Sequence, residues 1–490
     1  MSRIDIIICI LPKIRPDAPT VGPNILKAHA EKHGHKVLVE DLNIELYVAM
    51  ERRGDHAEYY GDNDHVFAGN NTRVTDEFSL LMDRYAELVD SWIERWRQAN
   101  PRYIGLSIFS RFSQQIGMYL SQLIRQRLPH IKIVWGGAYI GNWIKPHFND
   151  GLLDHFIRGD GENSLLALLN GDLTAPGIDK LSPNQINVNE MSVPDYSDIN
   201  WDLYKKSRFG ETPIYITASR GCVKRCTFCD VYQIWPEYRY RSGENIAAEI
   251  IALRKKWNRN TFMFTDSLIN GSMKAFREMM TCLIEYRKQD SDWNWISQYI
   301  IRPKKQNPES DFEMMRASGC NWIDIGIESF SKDVRWHMGK KFTDEDMWYT
   351  FSMLRKHGIG ASLLGFIGYP TETEADHAIN LDTLRKIHKR GYFTTHDNGS
   401  VLRPSFISTL LLDPDTPLGH IIKDELQFED SMNWTYRENT PAVRYRRYQE
   451  FHETLEYLIG QEYHTDIGTR NRKNYKKKIQ GVPVAEGAAF

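Results

Sequence analysis

The chain has 490 residues, enough for two to four domains that each bury a large core. Its 62 Lys and Arg nearly balance 64 Asp and Glu, so no global field points to nucleic acid or to an anionic membrane. The six cysteines, half of them clustered, make no secreted disulfide framework and fit a reducing cytoplasm with a metal site.

The N-terminal run MSRIDIIICILPKIRP is too short in its apolar part to cross a membrane, and Ile4–Leu11 reads as a buried strand. Pro23–His33 reads as a helix stopped by Gly34, and His35–Glu40 as a second strand. Tyr103–Phe109 and Ile131–Trp135 are further strands, with a helix, Gln114–Leu128, between them. This alternation predicts an α/β, doubly wound (Rossmann-like) domain over residues 1–170, with any ligand at the strand C-terminal ends. A polar insertion at 50–100 interrupts it, loop-like at first and helical from about Thr75. It reads either as a cover for a ligand or as a surface extension.

Residues 171–210 are rich in Pro, Asp and Asn and read as a linker. From 211 to 415 a second series follows, with strands expected at Pro213–Ala218, Thr261–Thr265, Asn294–Ile300, Trp322–Ile327 and Ser362–Ile367, and a further one near Gly399–Leu402. Helical stretches such as Asn245–Trp257, Ser272–Lys288 and Asp344–His357 separate them. Such repetition predicts a partial or full TIM-type (β/α) barrel whose chemistry lies where strands end. Residues 416–490 read as helical, finishing in a basic tail, TRNRKNYKKKIQG, that suits a frayed, solvated end. Arg444–Arg447 (RYRR) reads as part of a plain surface helix, or as a contact for an anionic substrate or acidic partner.

The segment SRGCVKRCTFCD places Cys222, Cys226 and Cys229 in a Cys-x₃-Cys-x₂-Cys pattern directly after a strand. Zinc needs a fourth ligand, and no second CxxC or HxxxH pair follows nearby. A redox Cys226–Cys229 pair leaves Cys222 unexplained. A cubane iron–sulfur cluster usually takes four thiolates, so three leave one iron open to a substrate or cofactor. The spacing favours the open-iron cluster.

CxxxCxxC after the first strand of a β/α barrel, with Phe228 before the last cysteine, resembles the radical S-adenosylmethionine superfamily. Further segments resemble its branch with an N-terminal cobalamin-binding domain: YRYR (Tyr238–Arg241) with Glu244 and Glu249, FTDSLIN, GIES with MGKKFTDED, GYPTET and the linker MSVPDYSDINWDLY. GLSIF, VWGGAYI and RGDGENS resemble that branch's cobalamin domain. The resemblance implies that the three cysteines hold a 4Fe–4S cluster whose fourth iron chelates S-adenosylmethionine. It places Phe228, Glu328, Ser329, Gly368 and Pro370 near S-adenosylmethionine, and Ser107, Gly136, Gly137, Gly159, Gly161 and Glu162 near cobalamin. It also implies a low-potential reductant such as flavodoxin or ferredoxin. The Asp-x-His-x-x-Gly cobalamin signature is absent, the corresponding loop reading LPKIRPDAPTVG, and no glycine-glycine-acid segment follows the second barrel strand.

Alternation in WIDIGIE puts Ile323, Ile325 and Ile327 on one strand face and Trp322, Asp324, Gly326 and Glu328 on the other. Glu328 is then a cofactor contact or half of a salt bridge with a barrel Lys or Arg. Asn294, Gln298 and Arg302 share a face and are substrate candidates or a polar network at the barrel mouth. Asp266 is a substrate candidate or a helix N-cap, and Gly368 and Pro370 most simply shape a turn. Cys282 and Cys320 read as buried structural thiols.

The expected function is a cytoplasmic radical S-adenosylmethionine enzyme that methylates or rearranges an unactivated carbon of a small-molecule or peptide substrate, with cobalamin. The alternatives are a cobalamin-independent cyclase or oxidoreductase and, from another class, a non-catalytic iron–sulfur electron carrier or scaffold. No membrane or nucleic-acid partner is expected.

Overall fold

The computed structural model describes residues 3–55, 67, 72–205 and 211–460. These divide into two compact units, Met1–Thr217 with Ala248–Phe262, and Ala218–Ala247 with Met263–Phe490. Among the described residues no helix is long and apolar enough to cross a membrane.

The first sheet holds β1 (Ile6–Ile10), β2 (Val37–Asp41), β3 (Tyr103–Ser107), β4 (Lys132–Gly136) and β5 (His155–Phe156), in spatial order β2-β1-β3-β4-β5. Its strands pair in parallel, with Ile8 of β1 facing Val39 on one side and Gly105 on the other. β1 is buried at all five positions, as a central strand covered on both faces must be. The order reverses between β1 and β3, the crevice where doubly wound folds bind ligands. The Rossmann-like expectation and its first four strands are thus met. The two-residue β5 carries too little pattern to be read from sequence.

The insertion is helical from Thr75 as expected, with Thr75 capping the helix Asp76–Asp83, but it differs at its start and in its burial. A helix, Leu42–Arg53, begins directly after β2, capped by the Asp41 carboxylate accepting from the Ile44 N–H, so position 50 lies inside it. The helix Ala86–Ala99 buries Val89, Trp92, Ile93 and Trp96. Trp92 donates to Glu45 at 2.7 Å, Trp96 to Glu40 at 3.1 Å, and Arg95 pairs with both carboxylates. The second half of the insertion is therefore core rather than decoration. Residues 56–66 and 68–71, expected to be loop, lie outside the described residues.

The described part of the expected linker packs as well. Ile178, Ile186, Val188, Met191 and Tyr196 are buried, and Asp198 accepts from the Val39 N–H and pairs with Lys27. Its apolar anchors fall at irregular spacings, so no periodicity announces them.

The second sheet runs β13-β12-β11-β10-β9-β6, comprising β6 (Ile214–Ile216), β9 (Thr261–Phe264), β10 (Asn294–Tyr299), β11 (Cys320–Glu328), β12 (Gly360–Ile367) and β13 (Leu402–Thr409). β10 to β13 pair in parallel, giving the expected barrel in partial, six-stranded form. On β11, Ile323, Ile325 and Ile327 are fully buried while Trp322, Asp324, Gly326 and Glu328 are half-buried, as alternation predicted. The C-terminal region adds a hairpin, β14 (Leu426–Phe428) with β15 (Trp434–Tyr436), before the helix Pro441–Ile459. The basic tail lies outside the described residues.

Candidate functional site

The cysteine loop is closed at its base. β7 (Ser219–Arg220) enters it and β8 (Arg239–Tyr240) leaves it, paired antiparallel. Gly221 opens the loop at φ +84°, and a Cβ there would meet the Glu237 carbonyl oxygen at 2.5 Å, so only glycine fits. Asp266, fully buried, accepts from the Ala218 N–H at 2.9 Å and from the Ser219 hydroxyl. Burial lifts its pKa to about 6. Asp266 is thus a latch under the loop and not an N-cap; Ser272 caps the following helix, Met273–Arg287.

Inside the loop, backbone bonds hold the chain. Thr227 N–H donates to the Met338 carbonyl at 3.0 Å, its carbonyl accepts from Leu418 N–H at 2.7 Å, and its hydroxyl meets the Tyr369 hydroxyl at 2.8 Å. Phe228 packs edge-on to Phe366 with centroids 5.1 Å apart. Gly339 lets the chain pass within van der Waals reach of Cys226; a Cβ there would sit 3.4 Å from the Arg225 carbonyl.

Burial pushes the Cys222, Cys226 and Cys229 thiols above their ordinary range, and each also feels a neighbouring thiol. The Lys340 ammonium pulls all three back. Lys340 pairs with Glu328 at 2.9 Å and donates to the Gly326 carbonyl at 2.8 Å. Burial works against its charge, yet Glu328 and the thiols outweigh it and raise its pKa. Gly326 leaves room for both, since a Cβ would lie 2.6 Å from each charged end. Lys340 is the site residue that sequence reading missed, although it lies within the quoted MGKKF segment.

Three thiols sharing one loop and one cation have the chemistry of a thiolate cluster site. Among the described residues no three His, Cys, Asp or Glu side chains stand as ligands of a single metal ion. A mononuclear zinc would draw its sulfurs to about 3.8 Å of one another, given Zn–S bonds of about 2.3 Å. A four-iron cube spreads its thiolates more widely over its corners.

The other expected site residues divide. Glu328 takes the salt-bridge option, at a positive φ of 64°. Ser329 is buried, donating to Asn380 at 3.2 Å and accepting from the Ser331 N–H. Gly368 (φ +83°) lies under Arg444, and Pro370 is buried in the turn after it. Arg302 is not on β10: it lies beyond the strand and donates to the Asn270 and Gly271 carbonyls. Asn294 starts β10 with its side-chain oxygen buried, and Gln298 faces open space. The RYRR segment is no plain surface helix. Arg444 is buried, donates to the Asn439, Met432 and Trp434 carbonyls and lies on the Trp434 ring, while Arg447 holds the Glu372 carbonyl and Glu374. Cys320 is buried as expected, whereas Cys282 is half-exposed.

In the first unit, Ser107 ends β3 opposite Gly136, which ends β4. Gly137 (φ +112°) and Gly159 (φ +89°) each leave no room for a Cβ against backbone. Gly161 and Glu162 begin the helix Gly161–Leu169, with Glu162 buried. Just beyond β3, buried polar atoms of Ser110, Ser113 and Gln114 have no hydrogen-bond partner among the described residues. Each such atom left unpaired costs about 1–3 kcal/mol, and the three residues lie at the switch-point end of the sheet.

Residues 216–396 match the Radical SAM superfamily model. An uncharacterized methyltransferase of Pyrococcus horikoshii is 24% identical over 254 residues, 48% of this chain and 53% of that protein. The chain spans about half the length, or less, of the curated relatives it matches. The solved radical S-adenosylmethionine methyltransferase TsrM of Kitasatospora setae, with cobalamin and a [4Fe-4S] cluster bound, aligns at TM-score 0.58 and 17% identity, covering 91% of this chain and 82% of that one. The cobalamin-dependent S-adenosylmethionine radical enzyme OxsB aligns at TM-score 0.65 and 15% identity, covering 97% and 71%. The cysteine loop thus stands at the head of the domain that matches the radical SAM superfamily model, and the fold of the chain is similar to that of the two solved cobalamin-binding enzymes.

Proposed function

We propose that the chain is a cobalamin-dependent radical S-adenosylmethionine methyltransferase acting on an unactivated carbon of a small-molecule or peptide substrate, with flavodoxin or ferredoxin as reductant. Cys222, Cys226 and Cys229 would hold a 4Fe–4S cluster, and the first unit would hold cobalamin around Ser107, Gly136, Gly137, Gly159, Gly161 and Glu162. When bound, the cluster supplies the electron that cleaves S-adenosylmethionine, and cobalamin supplies a carrier for the methyl group. The observation that carries the reading is the shared environment of the three thiols: one clamped loop, the Lys340 ammonium acting on all three, and no fourth cysteine in the motif.

The chain's own residues do the rest. Lys340 offsets the negative charge that three thiolates concentrate. Asp266, β7 and β8 fix the loop before any iron arrives, so less ordering is left to binding. Phe228, packed edge-on to Phe366, anchors the loop between Cys226 and Cys229. Cobalamin is further supported by the buried, unpartnered Ser110, Ser113 and Gln114 groups and by the cobalamin named for TsrM and OxsB.

Anaerobic reconstitution followed by dithionite and S-adenosylmethionine tests the enzyme. Formation of 5′-deoxyadenosine or S-adenosylhomocysteine is expected. Neither product at stoichiometric iron and sulfide would leave an electron carrier or scaffold. Replacing all three cysteines by alanine should abolish the cluster's visible absorbance. Corrinoid retained after loading with hydroxocobalamin and desalting tests the first unit, and its complete loss would leave a cobalamin-independent reaction.

A further inference from the structure

The register of the second sheet brings four polar residues into one row. Gln298 on β10 lies opposite Asp324 on β11, Asp324 opposite Ser362 on β12, and Ser362 opposite Arg403 on β13. All four alternate with buried neighbours, so they share the face that Ile323 and Ile325 do not take. A barrel layer is normally packed with branched apolar side chains. Here it is an amide, a carboxylate, a hydroxyl and a guanidinium.

The centre of the row is fixed. Trp322 lies one layer below, and its indole N–H is shared between Asp324 at 3.2 Å and the Ser362 hydroxyl at 3.0 Å. Gly360, its register partner on β12, makes space for the ring: a Cβ there would lie 2.4 Å from it. The indole thereby extends across β12 toward β13, where the Arg403 guanidinium stands 5.8 Å from its centroid. The ends are different. Gln298 and Arg403 are exposed, and among the described residues Arg403 makes no ion pair and neither side chain makes a hydrogen bond.

The row also lies close to the cysteine loop. Gly326 sits two residues along β11 from Asp324, about 7 Å at 3.3 Å per residue, and its carbonyl takes the Lys340 ammonium. Gly326 contributes no side chain to the layer between, and the Glu328 carboxylate and Lys340 ammonium come to 2.6 Å of where its Cβ would be, which puts that ion pair next above Asp324.

We propose that this row binds the substrate of the barrel, and that the substrate is a small zwitterion of the amino-acid type. Arg403 takes its carboxylate, for which a planar guanidinium fork is the matched partner. Asp324 and Gln298 take its ammonium group, and the indole of Trp322 floors the space between. Two strand spacings, about 9.6 Å, separate Asp324 from Arg403, a gap that the arginine arm shortens to fit one molecule. A purely anionic ligand would meet the Asp324 charge, and a purely cationic one that of Arg403. The proposal rests on reading the second unit as a catalytic barrel.

Equilibrium dialysis of the reconstituted protein against the twenty L-amino acids tests it, with the methyl ester and the N-acetyl derivative of each one retained. At least one amino acid should bind at millimolar concentration or below, with both derivatives at least tenfold weaker. Arg403→Gln should lose the preference for the free acid over the ester, Arg403→Lys should keep part of it, and Asp324→Asn should lose the preference for the free amine. Wild-type iron content in each variant shows an intact fold. No binding by the wild type, or an Arg403→Gln variant that still rejects the ester, would overturn the proposal. Binding is read without S-adenosylmethionine, so absence of its cleavage overturns the enzymatic reading separately.

Discussion

Glu328 and Lys340 form a 2.9 Å ion pair beside the cysteine loop, and Glu328 holds its end of it at φ +64°. A non-glycine residue in that conformation costs roughly 1–2 kcal/mol, which the pair and the surrounding strand must offset. The pair also sets how much of the Lys340 charge reaches the thiols, since Glu328 draws on the same ammonium.

Lys340→Gln removes a cation that acts on all three thiols. Loss of such a supporting partner typically weakens metal binding about 10- to 100-fold. Iron and sulfide retained after desalting should fall accordingly. Retention at the wild-type level would restrict Lys340 to holding Glu328 and Gly326.

Asp266→Ala strands the buried Ala218 N–H and Ser219 hydroxyl beneath the loop. The expected loss is about 1–3 kcal/mol of stability, read by thermal unfolding of the apoprotein. Asp266→Asn keeps one acceptor and should lose less. Equal melting of all three proteins would show that β7 and β8 alone close the loop.

Glu372 is buried beside Arg447, and burial lifts its pKa to about 7. A carboxyl with a raised native pKa binds its proton more tightly folded than unfolded. Its contribution is therefore full below about pH 4.3 and is lost as pH rises through about 7. Glu372→Gln cannot ionise, so its melting temperature minus that of the wild type should climb between pH 4.5 and 7.5. A flat difference would place the neutral form elsewhere.

Gly368→Ala forces a Cβ to within 2.3 Å of the Arg444 side chain at a φ of +83°. The strain is about 1–3 kcal/mol, and it displaces a guanidinium that ties three carbonyls of the C-terminal region. Chemical denaturation should show the loss, and Arg444→Ala in the same background should recover little, because the backbone strain remains.

What could be read from the sequence is local in origin. The cysteine spacing, the two series of strands and helices, and the two faces of WIDIGIE depend on residues within a few positions of each other. Arg302 shows where that reach ends: four residues past Gln298, it has left β10 and serves the Asn270 and Gly271 carbonyls. Arg444 shows the same in reverse, since a basic run that looks solvated is buried by a hairpin no periodicity announces.

By itself the sequence determined the three-thiol loop, the strand that feeds it and the type of both domains, because a turn, a strand and a ligand spacing are set by neighbouring residues. Only the tertiary structure decided that Lys340 is the charge beside that loop and that Asp266 is its latch. It alone also set Gln298, Asp324, Ser362 and Arg403 in one row. These contacts join residues tens of positions apart, and sheet register and burial choose them.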